Sequence, residues 1–327
     1  MLNWSKKWGA LWHPERYHGW GKQRNYFEGW YIKLVSPRED CALALIPGIS
    51  MGADGQQHAF VQLLDGKECS SAYHRFSAAE FEPDAHRFKL KLGANTFGSE
   101  GLSVQLPELQ GALAFEKSTP WPASLGAPGV MGWYSFVPFM ECYHGVVSLH
   151  HRLSGQLRFQ EREVDFTGGI GYIEKDWGQS FPSSWVWMQS NHLTGAEKAC
   201  LMVSVARIPW LGSHFVGFLA GFQLGGMLHR FTTYNGSSVK VNLREAQREV
   251  RLHIKRGEWQ LEITARQRGG SGALVSPIAG AMAGKVNESL QSVCLVRLIR
   301  GREVLYEGEG RNAGLEIAGP VEEELLA

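Results

Sequence analysis

The sequence predicts an all-β protein of sandwich or barrel class, and three observations carry that expectation. Apolar and polar residues alternate with period 2 along much of the chain, short turns punctuate the alternation, and helical spacing is rare. Glycine supplies 39 of 327 residues, well above the usual ~7 %, as strands require where they coil sharply or approach other backbone.

The elements follow in chain order. Tyr26, Glu28, Trp30 and Ile32 fall on one face of a strand. Phe88 to Leu92 alternates. Leu153, Gly155, Leu157 and Phe159 form a strand that turns through 160–163 and returns with Val164 and Phe166. Residues 208–228 lack Asp, Glu, Lys and Arg, a length that could span a membrane. Pro209, Ser213, His214, Gln223 and several glycines argue against a span, and Gly225-Gly226 is a two-residue hairpin turn. Val250, Leu252 and Ile254, a Gly257 turn, then Trp259, Leu261, Ile263 and Ala265 read as another hairpin, with one wet face. Residues 292–298, Gly301 and 304–306 repeat the device. The one helix candidate is the small-residue stretch 277–285, and 116–132, rich in Pro and Gly, reads as a loop.

Composition excludes several functions. Lys and Arg total 33 against 32 acids, a net charge of +1, which leaves no basic face to neutralise nucleic-acid phosphates. Five cysteines with no CxxC pair suit neither a disulfide scaffold nor a zinc site. Thiols of this kind fit a reducing compartment, and no apolar run follows the N-terminal charges, so a cytoplasmic protein is expected. His150-His151 point to opposite strand faces, and no phosphate-cradling glycine loop is present, so neither metal nor nucleotide cofactor is expected. Of twelve tryptophans, Trp4, Trp8, Trp12, Trp20 and Trp30 lie in the first thirty residues. The first three are spaced to form a stripe packing an N-terminal arm.

Three segments put charge beside aromatic mass. The first is 26–33, where Glu28 shares a face with Tyr26 and Trp30, and is either paired with a cation or raised in pKa by desolvation. The second, 136–145, places Glu141 and Tyr143 on one face and Cys142 and His144 on the other. A Cys/His nucleophile there lacks an evident orienting acid, and a hydrogen-bonded, buried His144 is the expectation. The third runs from Gly171 to His192. Glu174, Lys175 and Asp176 precede Trp177, and after a loop Trp185, Trp187, Gln189 and Asn191 share one strand face. Buried amides must be hydrogen-bonded, so this face suits an apolar pocket with a polar end; a Glu-Lys-Asp salt bridge between sheets is the plainer alternative. The acid-aromatic pairing at 28–31 and 174–177 also reads as a loose repeat between the two halves.

Together, Phe27-Glu28-Gly29-Trp30-Tyr31, Glu174-Lys175-Asp176-Trp177-Gly178 and Trp185-x-Trp187-x-Gln189-x-Asn191 resemble the tocopherol cyclase family, from about His13 to the C-terminus. The resemblance implies two packed lipocalin-like (calycin-type) antiparallel β-barrels, 1–165 and 166–327. It also implies a cofactor-independent ring closure: a prenyl double bond of a lipophilic quinol is protonated and a hydroxyl closes on the resulting tertiary centre. Glu28 or Glu174, then Asp176, is the expected proton donor. Trp30, Trp177, Trp185 and Trp187 would line the pocket and stabilise positive charge. Tyr31, Glu141 and Lys175 join the substrate-binding set, with Gln189, Asn191 and His144 holding the quinol oxygens. The expected partner is a lipophilic small molecule, with peripheral membrane contact to reach it. The rivals are a non-catalytic carrier of a hydrophobic ligand and a terpenoid double-bond hydratase.

Overall fold

The computed structural model describes residue 6, residues 9–244 and residues 248–325; Trp4 and Trp8 of the N-terminal stripe lie outside them. The chain is nearly all β, with a nearly closed barrel-shaped sheet, as expected. It divides into two compact units. The first comprises Met1–Asp65, Ser71–Phe181 and Leu274–Lys285, the second Gly66–Ser70, Pro182–Ala273 and Val286–Ala327.

The first unit is built on β1 (Tyr26–Val35), β2 (Ala42–Met51), β3 (Gln57–Asp65), β4 (Ser70–Phe76), β5 (Phe81–Pro83) and β6 (Lys89–Leu92). It continues with β7 (Asn95–Gly98), β8 (Gly101–Gln105), β9 (Leu109–Thr119), β10 (Cys142–Phe159), β11 (Arg162–Asp165) and β12 (Ile170–Gly178). The strand order is β4-β3-β2-β1-β12-β10-β9-β8-β7-β6-β5, with β11 on β10. The two ends of this path, β4 and β5, are consecutive in the chain. A single 3-10 turn (Ala78–Glu80) joins them, held by a capping box between Ser77 and Glu80. A sheet whose terminal strands are chain neighbours must curl upon itself, and its concave face carries the core: Trp30, Ile32, Leu34, Leu43, Leu45, Val61 and Ile173.

The second unit holds β13 (Trp185–Ser190), β14 (His192–Leu193), β15 (Cys200–Trp210), β16 (Ser213–Leu224), β17 (Met227–Thr232) and β18 (Ser238–Arg244). Then follow β19 (Glu249–Arg256), β20 (Trp259–Arg266), β21 (Gly272–Ile278), β22 (Ala281–Arg300) and β23 (Glu303–Ala318), of which 274–285, most of β21 and the start of β22, count with the first unit. Its order is β17-β16-β15-β13-β23-β22-β20-β19-β18, with β14 on β23 and β21 on β22. The device recurs: β17 and β18, the ends of the path, are joined by a 3-10 turn (Thr233–Asn235) with a capping box between Thr232 and Asn235. Val186 and Met188 enter this unit's core with Val203, Val205 and Leu315.

The hairpins at 225–226, 257 and 301 form where the sequence places them. Gly225 (φ 56°) and Gly226 (φ 82°) supply the two positive φ angles that a primed two-residue turn needs. The helix expected over 277–285 is not formed. Ala279 (φ 47°) and Gly280 (φ 80°) make a turn between β21 and β22, and small residues that suit a helix also suit this tight reversal. The irregular stretch starts later than 116, because β9 runs to Thr119. Residue 165 falls inside the first unit, since β12 pairs with both β1 and β10. The loose repeat between 28–31 and 174–177 has another origin. Each sheet sets its first strand beside its last, β1 against β12 and β13 against β23, so the two motifs are cross-strand neighbours in one sheet.

Candidate active site

Three adjacent strands, β1, β12 and β10, position the charged residues of the first unit. Register pairs Glu28 with Trp177, Trp30 with Lys175, and Tyr143 with Trp177. These side chains share the concave face. One residue along, Asp176 pairs with His144 and Gly29, and Glu174 with Tyr31 and Val146, on the opposite face. The sheet therefore separates the expected donors: Glu28 on one side, Glu174 and Asp176 on the other.

On the concave face Glu28 and Lys175 are both wholly buried, with Lys175 Nζ 2.5 Å from Glu28 Oε1. Glu28 also accepts the backbone N–H groups of His18 and Gly19 at 3.0 Å, and a short hydrogen bond from the Tyr26 hydroxyl. Burial pushes the Glu28 carboxyl up, but Lys175 and His18 outweigh it and hold it below its ordinary value. Burial brings Lys175 down to about 8 against the pull of Glu28, which still leaves it charged at neutral pH. Its ammonium lies 4.9 Å from the ring centre of Trp30 and 4.5 Å from that of Trp177. It donates to His18 Nδ1 at 2.7 Å and to the Arg16 carbonyl. His18 Nε2–H then donates to the Ala10 carbonyl at 3.0 Å, a network that assigns a neutral ring, as do burial and the neighbouring ammonium. His18 stacks on Trp177 at 4.2 Å, and Tyr143 stacks on it at 5.5 Å. Glu28 is thus an ionised anchor. The indole faces assigned to a substrate cation already hold a protein cation.

On the other face His144 Nδ1–H donates to Asp176 Oδ1 at 2.8 Å, and its Nε2 lies 3.6 Å from Glu174 Oε2 without a hydrogen bond. Glu174 accepts the Tyr172 hydroxyl at 2.6 Å. Burial lowers the His144 pKa, but the carboxylates of Asp176 and Glu174 more than reverse this and raise it to about 9. At neutral pH the ring is an imidazolium between two acids. One donor atom each of His144, Glu174 and Asp176 lies within 4.8 Å of the others, so the trio could hold an ion. An imidazolium has no lone pair to offer, so protonation and metal binding exclude each other here. Cys142 lies on the same face, its Sγ 4.0 Å from Asp176, and burial, Asp176 and Glu141 push its thiol well above the ordinary range. It is no thiolate nucleophile. The orienting acid that the sequence did not reveal for His144 is Asp176.

A cavity of ≈ 390 Å³ opens at the Cys142 and Gly178 ends of β10 and β12. His18, Tyr26, Tyr143, His144 and Trp177 line it with the apolar segment 136–140, apart from Phe139. No Asp or Glu is among its lining residues. The sequence does not mark His18, Tyr26 and Tyr143 for binding, although Tyr17-His18-Gly19-Trp20 is a polar-aromatic run five residues before β1. Trp30 is 1 % exposed, its Nε1–H donating to the Glu15 carbonyl and its ring stacked on Phe88 at 5.2 Å. Tyr31 is buried opposite Glu174. Glu141, half-buried, has its carboxyl raised by burial, and its carbonyl accepts the Gln179 N–H at 2.8 Å. Neither Trp30, Tyr31 nor Glu141 reaches this cavity.

Trp185, Trp187, Gln189 and Asn191 belong to the second unit. Their face is the one opposite the core residues Val186 and Met188. Gln189 Nε2 donates to Asn191 Oδ1 at 2.5 Å, so the two buried amides are hydrogen-bonded to each other. Trp185 Nε1–H donates to Glu316 Oε2 at 2.6 Å, and register sets Glu316 between Trp187 and the buried Glu288.

Comparison with known proteins places the chain in a family. The tocopherol cyclase-like family matches residues 118–319, which include His144 and the 174–191 segment. A probable chloroplastic tocopherol cyclase of Oryza sativa subsp. japonica and a chloroplastic tocopherol cyclase of Zea mays are each 24 % identical over 109 residues, 32 % of this chain. The match spans 23 % of the length of those relatives. Among solved structures, a putative AttH from Nitrosomonas europaea is 15 % identical with a TM-score of 0.52, covering 90 % of this chain and 92 % of that one. CghA with Sch210972 is 11 % identical with a TM-score of 0.58, covering 90 % and 89 %. At such identity the likeness concerns the fold alone. With more than half of its length matched by the family, the chain belongs to the tocopherol cyclase-like proteins.

Proposed function

We propose that the protein is a cofactor-independent acid–base cyclase acting on a lipophilic alkene that carries a hydroxyl group, a prenylated quinol being the substrate class that the family suggests. One observation carries the reading: a half-buried imidazolium, His144, stands between Asp176 and Glu174 at the wall of a cavity with a largely apolar lining. Asp176 fixes the ring through Nδ1, leaving the Nε2 proton without a hydrogen-bond acceptor. In the step envisaged, the Nε2–H bond breaks as a C–H bond forms at the less substituted alkene carbon. The substrate hydroxyl oxygen bonds the other alkene carbon, and the hydroxyl proton passes to the carboxylate–imidazole cluster, which restores the resting state. Mass is unchanged.

An acid of pKa about 9 is protonated at neutral pH but is too weak to liberate a free carbocation. The Lys175 ammonium on Trp30 and Trp177 would also repel one. Both facts favour proton delivery in concert with C–O bond formation. The reading moves the donor role from Glu28, which Lys175 keeps ionised, to the cluster of His144, Glu174 and Asp176.

Incubation with a panel of prenylated quinols, followed by mass and chiral analysis, tests it. A single-enantiomer product of unchanged mass supports the cyclase. A product heavier by one water replaces it with a hydratase, and ligand returned intact replaces it with a carrier. His144→Gln is expected to lower turnover by about 10²–10⁴-fold.

A further inference from the structure

Residues 118–140 contain no Asp, Glu, Lys, Arg or His, the longest such stretch in the chain. A soluble loop of that length ordinarily carries charge. This one exposes apolar mass instead: Leu125 is 88 % exposed, Phe139 53 %, Trp133 46 % and Phe136 38 %. These three aromatics are the only exposed Trp or Phe side chains among the described residues. The segment is held in place. Trp133 stacks on Tyr134 at 4.0 Å, Phe136 meets Trp12 edge-on at 5.6 Å, and Trp12 Nε1–H donates to the Leu125 carbonyl at 3.2 Å.

The exposed patch runs directly into the cavity. Phe136, Val137, Pro138 and Met140 of the same segment form part of its wall. The lining carries no carboxylate; its basic residues are Lys22, His18 and His144, and Lys22 is exposed at the surface. Aromatic side chains on an uncharged loop, with a cation beside them, are what a bilayer interface selects. No helix among the described residues is long and apolar enough to cross a membrane. From this continuity of exposed aromatics, uncharged chain and cavity wall, we infer that the 118–140 segment docks on an anionic lipid surface and opens the cavity toward it. Trp133, Phe139 and Leu125 insert among the headgroups, Lys22 meets the lipid charge, and a lipophilic ligand passes along Phe136 and Met140 without crossing water.

Co-sedimentation with vesicles of phosphatidylcholine, alone and mixed with phosphatidylglycerol, tests the inference. The full chain is expected to bind, and more strongly to the mixed vesicles. The triple variant Leu125→Ser, Trp133→Ser, Phe139→Ser removes no cavity-lining residue. It should bind on the order of tenfold more weakly while keeping its denaturation profile and its turnover of substrate in detergent micelles. Lys22→Gln should abolish the preference for anionic vesicles. Absence of vesicle binding by the full chain, or undiminished binding by the folded triple variant, overturns it. So does a loss of self-association in the triple variant without a loss of vesicle binding, which would assign the patch to a second copy of the chain. Turnover in micelles reads the cyclase proposal and vesicle binding reads this one, so either can fail alone.

Discussion

Lys175 Nζ lies 2.5 Å from Glu28 Oε1, and neither side chain is exposed. The residues are far apart in sequence, joined because β1 and β12 are the first and last strands of one curled sheet. Breaking one side of such a pair leaves an uncompensated buried charge, which costs about 3–5 kcal/mol, whereas an apolar replacement of both can be neutral. Lys175→Met is therefore expected to destabilise the fold by that amount in chemical denaturation. Lys175→Met with Glu28→Leu should regain part of the loss, less what the His18 and Gly19 N–H groups forfeit. Equal stability of wild type and Lys175→Met would show the pair to be inert.

His144 makes a pH prediction whose sign is set by its raised pKa. A base lifted from 6.5 to about 9 on folding stabilises the fold fully below pH 6.5 and loses that contribution as pH rises through about 9. At 1.36 kcal/mol per unit the amount is on the order of 3 kcal/mol. Lys175, lowered to about 8, acts in the opposite sense between about 8 and its ordinary 10.5, so the difference between wild type and His144→Gln isolates the histidine. That difference should shrink between pH 6.5 and 10; a constant difference would remove the imidazolium.

Asp176→Asn separates positioning from acidity. Removing one carboxylate leaves His144 burial against Glu174 alone, so the alkaline limb of any pH–rate profile should move to lower pH. The Nδ1 hydrogen bond can persist to the Asn side-chain oxygen, so the fold should change little. An unmoved limb with lost activity would make Asp176 a direct participant in the reaction.

How far the sequence revealed this site depends on the distance between partners. Period 2 alone put Tyr26, Glu28, Trp30 and Ile32 on one face, and the register of β1 with β2 and β12 has them there. Within one strand, parity also separates Glu174 and Asp176 from Lys175 and Trp177. It does not say that β12 lies between β1 and β10, which is what brings Glu28 to Lys175 and Asp176 to His144. The first pairing closes a loop of more than a hundred residues; the second closes one of 32 and depends on bulges in β10 near Val146 and Ser148. The stretch 277–285 failed differently. Its small residues carry no period, and only the positive φ angles at Ala279 and Gly280 disclose the turn.

Gly145 is a place where the fold tolerates no side chain. A Cβ there would lie 2.8 Å from Pro14 Cβ and 3.1 Å from the Trp177 ring. Gly145→Ala must displace the N-terminal segment or the indole on which His18 and Tyr143 stack. Overpacking of this kind costs about 1–3 kcal/mol, visible as a lower denaturation midpoint with altered tryptophan fluorescence. An unchanged midpoint and spectrum would show that Pro14 gives way freely.

Cys142 closes the case on nucleophilic catalysis. Its thiol shares a sheet face with His144, the arrangement of a catalytic dyad, yet His144 is turned to Asp176 and the thiol is held protonated by burial and two acids. Reaction with alkylating agents requires the thiolate. Mass spectrometry after brief iodoacetamide treatment of the native protein at pH 8 should find Cys142 unmodified, and Cys142→Ala should retain turnover within about threefold, a change under 1 kcal/mol. Rapid labelling of Cys142 accompanied by loss of activity would restore the thiol as a candidate and displace His144 from the role of proton donor.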